Sequence, residues 1–391
     1  MSEKRRSFRG SYFSYVLAFF FFFFTLAAFS SVLSIYLAGI GKSPSELSLI
    51  VSAASFFSFA VVPLTGYLRD RTGNQRALCV SLLLVSGVCA LAFSMTRSTW
   101  LLFLLDGAIL SAIMAVMPIS ERMAGASRYR YGVLRIWGTL GYAAGAQAAG
   151  WAIQSLPSWA LFAGIFAAAL LSAAGFLLAD EPEAQPQEAE PSRSARGDFR
   201  RLARNRNYLL FLVTVFVYGA CNATNMTFAP LLLDGLGVPT STVGTVISLS
   251  TLVEIPLILF SHKFMDRFSG KTLFAAACVI ALLQYLIYWQ VTSAPAVMLA
   301  MILLKAVAST TYSMLTLKMA SNLVEPSLLS TGMALISTTG SLSSILLHQA
   351  GGAITEALGI QTFYLVMAGL TLLALLLLIP LRVSNDRKVF S

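Results

Sequence analysis

Long apolar stretches alternate with short polar joints along the whole chain, and none of the stretches settles into the period-two alternation of a half-buried strand. A helix needs about 20 predominantly apolar residues to cross a bilayer. The pattern predicts twelve such helices, over residues 12–38, 45–67, 77–96, 99–121, 132–155, 158–179, 207–233, 240–261, 272–291, 294–317, 327–354 and 361–381. A membrane barrel would require alternating polar and apolar positions. Closed helices are then the remaining way to satisfy the backbone in lipid, so the expected class is an all-α membrane protein of two six-helix bundles.

Composition strengthens this picture. Hydrophobic residues make up 57% of the chain and charged ones only 11%, where soluble domains carry about 25%; the mean hydropathy is +0.77. The net charge of +10 could suggest nucleic acid, but its distribution argues for topology instead. The basic residues gather at the N-terminus, in alternate joints, in the stretch after residue 180 and at the C-terminus. Lys42 and Arg97 lie on the opposite side, and Arg135 and Lys305 fall within spans. The positive-inside rule then places both termini in the cytoplasm and makes the number of spans even. The first span has a basic start but is too long for a signal peptide and lacks a small-residue cleavage site, so it is expected to be retained. Cys79, Cys89, Cys221 and Cys278 all fall inside apolar spans without metal-like or disulfide-framework spacing.

Residues 181–206 form the one long polar stretch, acidic and proline-rich first and basic afterwards, the composition of a cytoplasmic linker. It separates an N-terminal bundle, 1–180, from a C-terminal one, 207–391. The two halves repeat at an offset of 196 residues: Asp70 and Arg71 after the second span recur as Asp266 and Arg267 after the eighth. Tandem six-helix units are a transporter architecture, with substrate bound near the membrane midplane at the repeat interface.

The joint after the second span reads Gly66, Tyr67, Leu68, Arg69, Asp70, Arg71, Thr72, Gly73, Asn74, Gln75, Arg76. Glycines there permit a tight turn, and Asp70 can pair or cap beside Arg71 and Arg76, so the loop and its echo are candidates for a cytoplasmic gating latch. In this pattern, G-x-L-x-D-R-x-G-x-x-R, the chain resembles the major facilitator superfamily. Pro118, Ser120 and Glu121, then Tyr131, Gly132, Arg135, Trp137 and Gly138, and again Glu254, Ile255 and Pro256, resemble its phenylpropionate permease branch, with nucleoside and lactose proton symporters more distant. The resemblance implies that Glu121, Arg135 and Glu254 line a central cavity and take part in substrate binding or proton coupling. Where those relatives tend to carry a histidine, this chain has Lys305.

The same residues stand out by cost. A charge at the centre of a membrane helix costs about 2.5–3.5 kcal/mol on insertion scales and is generally buried, paired and functional. Glu254 lies near the middle of its span. Lys305 shares a helical face with Ser309, Tyr312 and Thr316, and could pair with Glu254 or Asp106 or hold an anionic substrate. Asp106 lies in the outer part of the fourth span. Tyr142 follows Arg135 by two turns, while Tyr218, Asn222 and Asn225 form a polar stripe on the seventh span and His348 joins a serine face on the eleventh. These residues are the candidates for a substrate cavity.

No phosphate-binding loop, zinc-protease histidine pair or nucleophile elbow is present; neither enzymatic activity nor a cofactor or metal is expected. The expected function is proton-coupled symport, in the uptake direction, of a small organic solute across the cell membrane by a monomeric carrier. A uniporter or exchanger, an exporter, and a non-transporting membrane receptor are the rival readings.

Overall fold

In the computed structural model, residues 10–72, 74–180, 202, 204–265, 267–325 and 328–383 are described, and among them there is no strand. The chain runs through α1 (Tyr12–Ser30), α2 (Leu33–Gly39), α3 (Pro44–Thr72), α4 (Gln75–Met95), α5 (Thr99–Gly125), α6 (Tyr131–Ser155) and α7 (Ser158–Leu178). After residues 181–201 follow α8 (Arg206–Gly235), α9 (Thr240–Leu259) and the single turn α10 (Ser261–Phe264). Then come α11 (Gly270–Gln290), α12 (Ala294–Ala300), a π-helical turn (Met301–Lys305), α13 (Ala306–Leu323), α14 (Leu329–Leu358) and α15 (Ile360–Leu377). With α1–α2 and α12–α13 each taken as one span, ten stretches among the described residues are long and apolar enough to cross a membrane. The helices α6 and α14 have the length but are rich in glycine and small polar residues.

Short polar side chains set the helix starts. Asn74 accepts from the Ala77 amide at 2.9 Å, Asn205 from Tyr208 at 3.0 Å and Ser269 from Thr272 at 3.1 Å, each satisfying a donor that the helix leaves open. Ser43 and Glu46 form a capping box: Glu46 N–H donates to Ser43 Oγ at 3.3 Å and Ser43 N–H to Glu46 Oε2 at 3.2 Å. Lys42 Nζ reaches Glu46 at 3.2 Å and Thr99 at 2.7 Å, and Thr99 Oγ1 also donates to Glu46, so the first turns of α3 and α5 are tied together. Gly41 and Gly237 both turn the chain at positive φ, +84° and +77°, a conformation that favours glycine. They stand 196 residues apart, so the sequence repeat is also a repeat of backbone.

The expected single first span is broken between Ser30 and Leu33, where Val32 adopts φ −112°, ψ 0°. Gly66, expected in a tight turn, lies inside α3 with open space around it; the chain turns only after Thr72.

Two compact units result: Met1–Gln185 with Val238–Ser248, and Pro186–Gly237 with Leu249–Ser391. The first unit therefore recruits the beginning of α9, where Gly244 meets Gly150 backbone to backbone and Gln154 Oε1 accepts from the Ser241 amide at 2.9 Å. Its core is phenylalanine-rich. Phe29, Phe93, Phe162 and Tyr36 interlock at centroid distances of 5.0–6.3 Å, and α1 sinks into α6 until a Cβ at Gly141 would fall 2.1 Å from the Phe20 carbonyl oxygen. In the second unit Tyr285, Tyr288 and Tyr364 pack together, and Tyr364 donates to Asn225 Oδ1 at 3.3 Å.

Candidate functional site

The second unit brings two of the predicted charges into one another's field. Lys305 is 7% exposed, and the Glu254 carboxylate acts on it electrostatically. The local geometry explains the meeting. Lys305 closes the π-helical turn Met301–Lys305, which leaves irregular carbonyls needing partners, and Ser250 Oγ of α9 donates to the Met301 carbonyl at 3.1 Å. Ser250 and Glu254 are one turn apart on α9, as Met301 and Lys305 are on the facing helix, so the hydrogen bond aligns the two segments below the charges. A π turn of this kind often marks a functional position. Neither the π turn nor Ser250 was singled out in the sequence; the serine was findable as the i−4 neighbour of Glu254, whereas the π turn left no signal.

Other candidates in this unit are fastened into the bundle. Tyr218 is fully buried and donates to the Ala277 carbonyl at 3.3 Å. Its ring meets Phe274 at 5.5 Å and Tyr312 at 5.0 Å, and Tyr312 stacks on Phe274 at an interplanar 18°. Asn225 is buried as the acceptor of Tyr364, while Asn222, on the same helix, is half-buried. Ser309 is buried below Lys305, and its carbonyl accepts from Ser313. His348 Nδ1 lies 2.8 Å from the Ser344 carbonyl and 3.2 Å from Ser344 Oγ, and Nε2 pairs with Thr227 Oγ1 at 3.0 Å.

In the first unit, Glu121 and Arg135 gather around Tyr131, whose side chain feels both charges. Arg135 also covers the Phe23 ring at 4.3 Å, within cation–π range. Gly138 makes room for both, since a Cβ there would lie 2.6 Å from Phe23 and 3.1 Å from Arg135 Nη1. Tyr142 follows on the same helix, half-buried. Asp106 lies apart from all of these: it is 0% exposed and its two carboxylate oxygens have no hydrogen-bond partner. The Ala54 backbone approaches without meeting hydrogen-bond geometry.

Of the gating motif, Arg71 is exposed at the end of α3 and Arg76 starts α4 half-buried, its charge felt by Tyr15. Gly73, Asp266 and the Asp70 side chain lie outside the described residues, and Arg267 is exposed. The echo loop has an anchor that the sequence did not reveal. Lys318 lies inside α13 at 1% exposure, and its Nζ donates to the Met265 carbonyl at 2.5 Å and the Phe268 carbonyl at 2.9 Å.

Comparison with known proteins adds a frame to this geometry. Residues 12–366 match the model of the MFS_1 like family. The chain is 27% identical over 257 residues to the uncharacterized transporter YwbF of Bacillus subtilis (strain 168), a match covering 64% of this chain and 63% of that protein, a little under two thirds. It is 29% identical over 279 residues to the maltose permease of Geobacillus stearothermophilus, covering 70% and 69% of the two chains. With the probable 3-phenylpropionic acid transporter of Escherichia coli (strain K12) the identity is 23% over 296 residues, covering 73% and 76%. Among solved structures, the nucleoside transporter NupG superposes with a TM-score of 0.81 over 94% of this chain and 98% of that one, at 16% identity.

Proposed function

The chain belongs to the MFS_1 like family, and from that premise we propose that this multi-pass membrane protein is a secondary active transporter that takes up a small organic solute with protons by alternating access. Its relatives are transporters and permeases rather than enzymes. In this proposal twelve helices span the cell membrane, both termini are cytoplasmic, and the carrier works as a monomer. The residue pair that carries the reading is Glu254 with Lys305: a carboxylate within a membrane helix, coupled electrostatically to a buried ammonium. Such a group is costly to keep in lipid unless it serves transport or pairing. A carboxyl that takes a proton when the solute binds, and yields it when the solute leaves, gives the coupling that symport requires.

Glu121 with Arg135 forms the second charged pair of the proposed pathway, and Asn222, Tyr142, Ser309 and Tyr312 supply polar contacts to the solute. Asp70 and Arg71, with their echo at Asp266 and Arg267, serve the cytoplasmic gate. The relatives' names point to sugars, aromatic acids and nucleosides as solutes to screen, so the test uses maltose, 3-phenylpropionate and uridine. Protein reconstituted in proteoliposomes should accumulate at least one of these against its gradient when the outside is made acidic, and Glu254→Gln should abolish that accumulation while the protein still folds. Equal accumulation by wild type and the Gln variant would remove Glu254 from the coupling step.

A further inference from the structure

Asp106 stands outside both charged pairs. It lies in α5 on the side covered by α3, next to Gly107, over which the Phe57 ring is laid so closely that a Cβ at Gly107 would fall 2.4 Å from it. Asp106 is 0% exposed, and both of its carboxylate oxygens are buried without a hydrogen-bond partner. Among the described residues, no titratable group on the helices packed against α5 acts on it electrostatically: neither Glu46, Tyr67 and Arg71 of α3, nor Arg76, Cys79 and Cys89 of α4, nor Tyr12 and Tyr15 of α1, nor Tyr131, Arg135 and Tyr142 of α6.

An ionised carboxylate in such a place has neither solvent nor counter-ion, and the cost of keeping it charged is far larger than the cost of holding a proton. A hard cation would need several oxygen ligands around it, whereas the described residues contain no cluster of three or more His, Cys, Asp or Glu side chains that could hold a metal ion. We propose that Asp106 is a proton-binding site in its own right, separate from Glu254, and that the α3–α5 seam holds it as the neutral acid. Its use in transport rests on the reading of the chain as a proton-coupled carrier; its protonation does not. If both sites turn over, the carrier has two protonatable carboxyls, one in each unit.

The test is infrared spectroscopy of the full-length protein reconstituted in lipid bilayers and labelled with carbon-13 aspartate, which leaves Glu254 silent. The chain has seven aspartates, and solvated ones are ionised at neutral pH. One isotope-shifted band of a protonated carboxyl should appear at neutral pH, persist into mildly alkaline buffer, remain unchanged when sodium replaces potassium, and be lost in Asp106→Asn. Absence of the band from the labelled wild type would overturn the proposal even if the Asn variant does not fold. Persistence of the band in a folded Asn variant, or its disappearance on adding sodium, would overturn it as well. Failure of the Glu254→Gln uptake experiment leaves this spectrum unaffected, so the two conclusions fail separately.

Discussion

Lys305 and Lys318 are both buried lysines. Lys318 donates to two backbone carbonyls, which fix its ammonium in place. Lys305 has a carboxylate in its field, so its role depends on the charge of Glu254. Lys305→Ala should leave Glu254 without its counter-ion; the carboxyl then stays protonated, concentrative uptake is lost, and solute exchange across the same proteoliposomes persists. Normal accumulation by the alanine variant would reduce Lys305 to a packing residue. The sequence exposed Glu254 and Lys305 because charges are rare in apolar runs. It could not show that Tyr218 and Asn225 face the bundle interior, because a polar stripe on a helix looks the same whether it meets water, solute or another helix's tyrosine.

Helices as units were legible almost throughout, since the length and apolarity of each span set its bounds within a few residues. What escaped was local: the interruption at Ser31 and Val32 has no glycine or proline to announce it, and the π turn before α13 is built of ordinary apolar residues up to the closing Lys305, with nothing to mark the irregular backbone. Close helix contact is the stronger feature at this scale. Gly141 of α6 leaves no room for a side chain against the Phe20 carbonyl. Gly141→Ala should force α1 and α6 apart at a cost of about 1–3 kcal/mol, read as a lower midpoint of thermal unfolding in detergent; an unchanged midpoint would mean that the seam can relax. The anchoring of the echo loop gives a second prediction. Lys318→Met removes both hydrogen bonds to the loop carbonyls, and a cysteine placed at Phe268 should then be alkylated several-fold faster in inside-out vesicles, with wild-type labelling rates as the contrary result.

Over the whole chain, the two units do not coincide with the two sequence halves, because Val238–Ser248 packs with the first. If the chain is cut between Gln185 and Pro186, the first fragment lacks the helix start that meets Gly150, so it should be degraded when expressed alone and stabilised when the second fragment is coexpressed. Accumulation of the first fragment alone to the coexpressed level, measured by immunoblot of membranes, would contradict this. The repeat itself survives in the joints, in Asp70 and Asp266 and in the left-handed Gly41 and Gly237. It does not survive in the intramembrane charges. At the same offset of 196, Asp106 corresponds to Ile302, Glu121 to Leu317, Arg135 to Thr331, Glu254 to Ser58 and Lys305 to Ile109. The two copies thus share a scaffold of turns and loops but not a set of charges: each acid and base within the membrane is the property of one half alone, so the two halves are alike in how the chain turns and unlike in what they can bind.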